Sequence, residues 1–175
     1  MDSKLRPVRT STPQGAEAAV VFVHGFGGDV TDTWQDFPKL LAKEPKLSDW
    51  DLFTLGYDTR LRVDVLKLWS ADPDLDEVAL KLQTDAKAGA LKDYKSLCLI
   101  AHSMGGLAVQ RALLNDKSLR DRTSHVFLFG TPSGGLKKAS LVRILKPQLR
   151  DMARDGDFIR TLRGDWDGRF SAKNG

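Results

Sequence analysis

Residues 97–108 read Leu97-Cys98-Leu99-Ile100-Ala101-His102-Ser103-Met104-Gly105-Gly106-Leu107-Ala108. A short apolar run stops at a serine, and a second apolar stretch of helical character begins directly behind it. Small residues, Ala101 and Gly105, stand two positions before and after Ser103. A serine on so sharp a strand-to-helix turn needs that smallness, because the strained backbone brings neighbouring main chain close on both sides. Leu97 to Ile100 supplies the strand, and Leu107, Ala108, Ala112 and Leu113 supply one apolar helix face. Serine is also a good helix cap, but capping accounts for Ser103 alone and leaves Ala101 and Gly105 unexplained.

Three further apolar runs flank this one: Ala18 to Val23, Leu52 to Leu55 and Val126 to Phe129. They are continuous rather than alternating, as strands covered on both faces are, and helical or loop segments separate them. That alternation predicts an α/β fold: a three-layer parallel sheet of about four strands with helices on both faces. The clearest helix opens at Asp72-Pro73, a capping residue followed by a preset first-turn φ. Its inner stripe is Leu75, Val78, Ala79, Leu82, Ala86 and Ala90, with Asp76, Glu77, Lys81, Asp85 and Lys87 lying away from it. Other helices are expected from about Asp36 to Ala42 and from Ser103 to about Asn115. Leu61 to Trp69 fits strand and helix spacing equally. Beyond Gly130 the segments from Ala139 to Arg163 are helix-like and interrupted by glycine. Residues 1–17 read as a solvated lead-in and 18–175 as one partial α/β domain.

A chain of 175 residues with 41% hydrophobic and 29% charged residues suits a single core. Its apolar runs are far shorter than the roughly 20 residues of a membrane-spanning helix, and no secretory signal is legible at the N-terminus, so a cytoplasmic location is expected. The single cysteine, Cys98, excludes an internal disulfide and sits where a small buried residue belongs. The formal charge of +4 is modest. Its excess lies after Gly135, where basic residues suit acidic lipid head groups, but interspersed aspartates make it read as a solvated helix face. No nucleic-acid partner, cofactor or metal is expected.

A second constellation, Val23-His24-Gly25-Phe26-Gly27-Gly28-Asp29, comes directly after the first strand. Glycine-rich turns in this position aim backbone N–H groups at a developing oxyanion, one donor coming from this loop and the other from the residue after the nucleophile. Here those donors are Phe26 and Met104, and His24 reads as a residue that shapes the loop by hydrogen bonding. A dinucleotide fingerprint fails because Val30 stands at its last glycine. A phosphate loop at Gly130 to Gly135 fails because Leu136 and Lys137 stand where lysine and a hydroxyl residue are required.

Together, the loop at His24 to Gly28, the turn at Ala101 to Gly106 and the segment Phe129-Gly130-Thr131-Pro132-Ser133-Gly134-Gly135 resemble the α/β-hydrolase superfamily. Among its members they are most similar to lipase-like proteins of the SERAC and GPI-inositol-deacylase group. The resemblance implies a serine hydrolase acting on carboxylic, including lipid acyl, esters through an acyl-enzyme on Ser103. It also implies a histidine and an acid that come after the nucleophile in the chain. His24 lies in the oxyanion loop, His102 sits beside the serine, and His125 precedes the strand Val126 to Phe129, so none is expected to serve as that base. The sequence ends where the resemblance leads into further strands, which would leave the last strand as an open edge favouring self-association or a partner chain. Two readings stand side by side. In one, Ser103 is the nucleophile of an ester hydrolase; in the other, the domain is a catalytically silent binding module.

Overall fold

The computed structural model describes residues 4–10, 15–25, 33–56, 73–133 and 156–170. Five strands form one sheet: β1 (Lys4–Arg9), β2 (Ala18–Val23), β3 (Trp50–Gly56), β4 (Ser96–His102) and β5 (Thr123–Phe129), in the order β1-β3-β2-β4-β5. β2 runs parallel to β3 and β4, and β4 parallel to β5, whereas β1 is antiparallel to β3. The helices are α1 (Phe37–Leu41), α2 (Pro73–Lys87), α3 (Met104–Asn115), α4 (Lys117–Arg122) and α5 (Gly156–Phe170), with a 3-10 turn at Pro45–Leu47. Among the described residues no helix is long and apolar enough to cross a membrane.

The pleat divides the core in two. Ala19, Val21 and Val23 of β2, Phe53 and Leu55 of β3, and Leu97, Leu99 and Ala101 of β4 form one buried face with α2, α3 and Leu162 of α5. Val20, Phe22, Leu52, Cys98 and Ile100 form the other with Trp34, against which Leu41 and Trp50 pack. Strands loaded on both faces must be apolar at every position, so their runs carry no alternation.

The first strand corrects the expectation of a solvated lead-in. Leu5 packs on one core face and Val8 on the other, and the Arg9 guanidinium donates to the carbonyls of Ala42, Leu47 and Trp50. Pro7 is tolerated because among the described residues β1 has a neighbour on one side only. The sheet is therefore mixed and five-stranded rather than wholly parallel with about four strands.

On α2 the stripe Leu75, Val78, Ala79, Leu82 and Ala86 is buried. Two positions differ. Ala90 lies beyond the helix and is exposed, while Leu91 fills the core in its place. Asp85 is buried, with Lys81 Nζ one turn earlier donating to it at 2.5 Å. Asp72, the stretch Leu61 to Trp69 and residues 134–155 lie outside the described residues. Gly156–Phe170 is helical past Arg163, and α4 is a helix that the apolar pattern did not signal.

β5 breaks the continuous-run rule. Val126 and Leu128 pack on the core, but His125, Phe127 and Phe129 are exposed, the phenylalanines at 48% and 47%. His125 stands inside this strand, opposite Cys98, rather than ahead of it. Among the described residues β5 has a neighbour on one side only.

Candidate functional site

The C-terminal ends of β2, β4 and β5 converge on Ser103. β4 delivers the chain apolar and buried up to Ala101, and α3 starts one residue past the serine, at Met104. The joint needs a backbone that neither element can supply: Ser103 has φ 53° and ψ −128°, a left-handed conformation unusual for a residue with a side chain. The hydroxyl, half-buried, makes no capping hydrogen bond to α3. It is thus presented at the head of a helix, where partial positive charge favours a developing anion.

The crowding that the sequence anticipated is visible in three glycines. A Cβ on Gly25 would stand 2.9 Å from Ser103 Cβ and 3.2 Å from the His102 carbonyl oxygen. One on Gly105 would overlap the His24 carbonyl oxygen and come within 2.8 Å of that of Val23. One on Gly106 would overlap the Thr131 hydroxyl and stand 2.6 Å from its Cγ2. From the β5 side, the Ser103 N–H donates to the Phe129 carbonyl at 2.8 Å.

Among the residues singled out from sequence, His24, Gly25, Ala101, His102, Ser103, Met104 and Gly105 come together at this edge. Phe26 lies outside the described residues, as do Gly27 and Gly28. His24 is 1% exposed and its Nδ1 donates to the Gly25 carbonyl at 2.8 Å. His102 is exposed, its ring 6.2 Å from Trp34 in an edge-on contact that continues to Phe22 at 5.3 Å. His125 lies back along β5, stacked on Phe127 with its Nδ1 3.1 Å from Ser124 Oγ. Ser103 Oγ is hydrogen-bonded to none of these three rings. Among the described residues no group of His, Cys, Asp and Glu is arranged to hold a metal ion.

Sequence reasoning missed Gln110, Thr131 and Ser133 as neighbours of the turn. Gln110 is 3% exposed and accepts from Ser133 Oγ at 3.1 Å. A lone amide between the apolar Ala108-Val109 and Ala112-Leu113 pairs was the available signal. Cys98 lies deeper in β4, where burial pushes its thiol up to about 11, so it stays protonated and unreactive.

The arrangement places one hydroxyl, on a strained turn, at the carboxyl edge of a sheet and the amino end of a helix. Known proteins share this framework. The chain covers 95% of its own length and 63% of a lipase from Bacillus licheniformis, BlEst2 in mature form, at 19% identity and a TM-score of 0.56. It covers 93% of itself and 64% of BorB, a type II thioesterase from the borrelidin biosynthetic cluster, at 18% identity and a TM-score of 0.53. In sequence it is 26% identical over 190 residues to the human protein SERAC1, a match that takes in 90% of this chain and 29% of that protein. The chain thus spans under two thirds of each of these relatives. The family model "Alpha/beta hydrolase family" matches residues 20–174, from within β2 past the end of α5, and the chain belongs to that family.

Proposed function

We propose that Ser103 is the nucleophile of an ester hydrolase acting on carboxylic esters, with lipid acyl esters as the substrate class. The observation that carries this reading is the positive φ of Ser103 in a turn where glycines at 25, 105 and 106 admit no Cβ. Backbone strain of this kind costs on the order of 1–3 kcal/mol and persists where a side chain must be held out for chemistry. The lipase and thioesterase among the structural relatives, and the resemblance to the SERAC and GPI-inositol-deacylase group, support acyl transfer as the reaction class.

In this reading Ser103 Oγ adds to the acyl carbonyl and loses its proton to a base. The carbonyl oxygen takes up negative charge, and the backbone N–H groups of Met104 and Phe26 receive it. Collapse of that intermediate expels the alcohol and leaves an ester on Ser103, which water then cleaves. His24 has the place of a loop-shaping residue, since its Nδ1 is committed to the Gly25 carbonyl.

Intact-mass measurement after exposure to a serine-directed fluorophosphonate tests this directly. The expected result is a single phosphonyl adduct on the chain and none on Ser103→Ala. An adduct that survives the substitution overturns the assignment of Ser103.

A second reading, a hydrolase-like binding module, is favoured by the exposed Phe127 and Phe129 on a strand with one open side among the described residues. It predicts no adduct, together with self-association or partner binding through β5 that Phe127→Lys abolishes.

A further inference from the structure

The turn that carries Ser103 is gripped from two sides, and the two grips are made differently. On the β2 side, main chain at residues 23–25 lies against Ser103 and Gly105, and the parallel ladder between β2 and β4 fixes it up to Val23 and Ala101. On the β5 side the ladder ends at Phe129, opposite His102. Beyond Phe129 the chain makes a short turn: Gly130 at φ 58°, then Thr131, Pro132 and Ser133, closed by the Ser133 N–H on the Thr131 carbonyl at 2.8 Å.

This turn runs along the first two turns of α3. The Phe129 carbonyl takes the Ser103 N–H, Thr131 fills the space above Gly106, and Ser133 Oγ donates to Gln110. Gly106 and Gln110 are four residues apart and so share a face of the helix. The Thr131 hydroxyl is buried and has no hydrogen-bond partner among the described residues. A buried hydroxyl without a partner is unfavourable, so the side chain is there for its shape.

We propose that Thr131 and Ser133 are positioning residues: the turn they form braces the nucleophile turn and sets where Ser103 Oγ stands, a role that rests on Ser103 being the nucleophile. A left-handed serine is held only while its surroundings over-determine it. If the Thr131 wedge is removed, residues 130–133 lose their fit on α3. The Phe129 carbonyl is then free to swing, and Ser103 relaxes with its hydroxyl displaced. A displacement of about 1 Å at a reacting atom costs up to about a hundred-fold in rate.

Two readouts on the full chain test the brace: the rate of Ser103 phosphonylation by a fluorophosphonate, and hydrogen exchange at the Ser103 amide. Thr131→Ala is expected to slow phosphonylation about ten-fold, a tenth of that ceiling, and to speed Ser103 amide exchange by a similar factor. The amides of Cys98 and Ile100 should keep their protection. Thr131→Val, which keeps the wedge and loses only the hydroxyl, should restore both values. Ser133→Ala, at the outer end of the turn, should move both in the same direction by a smaller factor, and it supplies the comparison if Thr131→Ala does not fold. Unchanged exchange and labelling in Thr131→Ala and Ser133→Ala would overturn the brace, as would a Thr131→Val as impaired as the alanine. Absence of labelling in the unsubstituted chain would count against the nucleophile reading instead, and amide exchange alone would then decide the brace.

Discussion

The two edges of the sheet are built in opposite ways. At the carboxyl edge, around Ser103, the backbone carries left-handed residues at 103 and 130, glycines pressed against main chain, and a buried hydroxyl with no hydrogen bond among the described residues. At the amino edge Arg122, Tyr94 and Asp116 are each held by hydrogen bonds to neighbouring elements. The Arg122 guanidinium donates to the carbonyls of Ala86 at 2.6 Å, Leu91 at 3.1 Å, Lys92 at 3.3 Å and Tyr94 at 2.7 Å. Tyr94 donates to Asp51 at 2.5 Å, and burial, reinforced by that carboxylate, pushes the phenol well above its usual range. Asp116 accepts the Leu119 N–H at the start of α4 and pairs with Lys87 at 2.9 Å. The difference teaches where this domain keeps its stability and where it tolerates strain: substitutions at the amino edge should alter folding and spare the geometry at Ser103, and those at the carboxyl edge should do the reverse or both.

The harshest way to break that contrast is Gly105→Ala. Its methyl meets two backbone carbonyls, that of Val23 at the end of the β2–β4 ladder and that of the buried His24 next to it, so a loss of about 3 kcal/mol, the upper end for forced overpacking, is expected in urea unfolding along with loss of labelling. Arg122→Ala should cost about 2 kcal/mol, because four carbonyls lose a charged donor. Fluorophosphonate labelling at a temperature where the variant stays folded should be unchanged.

Asp116 sharpens the comparison through pH. Burial pushes its carboxyl up, but Lys87 and the Leu119 and Ser118 amides outweigh that and hold it below the ordinary carboxylate range. Its contribution is therefore complete above the unfolded value of about 3.9 and is lost as pH falls through the lower folded value. Asp116→Ala should cost about 1 kcal/mol near neutral pH as a lost helix cap, with the difference from the unsubstituted chain closing as the unfolding measurements are carried below about pH 4. The smallest effect has the opposite sign. Ser103→Gly relieves at least about 1 kcal/mol of strain and surrenders about 0.5 kcal/mol to the freer unfolded backbone, so the variant should gain about 0.5 kcal/mol and label not at all.

Much of this was legible in the residues, and for identifiable reasons. β2, β3 and β4 are buried on both faces, so their apolar runs stood out, and the sharp turn at Ser103 announced itself through the small residues at 101 and 105. β1 was not legible, because a strand whose apolar contribution to the core is the half-buried Leu5 and Val8, set among Lys4, Arg6, Pro7 and Arg9, has the composition of a solvated tail. α4 was missed because Lys117 to Arg122 offers a single buried position, Leu119, and no period to read. The brace at Thr131 and Ser133 could not be read at all. Its two sides are separated by β5 and α4, and only the folded sheet brings them to one place.

That separation also governs how the site comes into being. The contacts around Ser103 join residues 23–25, 101–106 and 129–133, so the full set needs β2, β4 and β5 in register together. Pairings between such distant segments are slow to form, since the chain must be ordered at length before any contact rewards it. The strained turn at Ser103 is thus a late product of folding, complete only once β4 has neighbours on both sides.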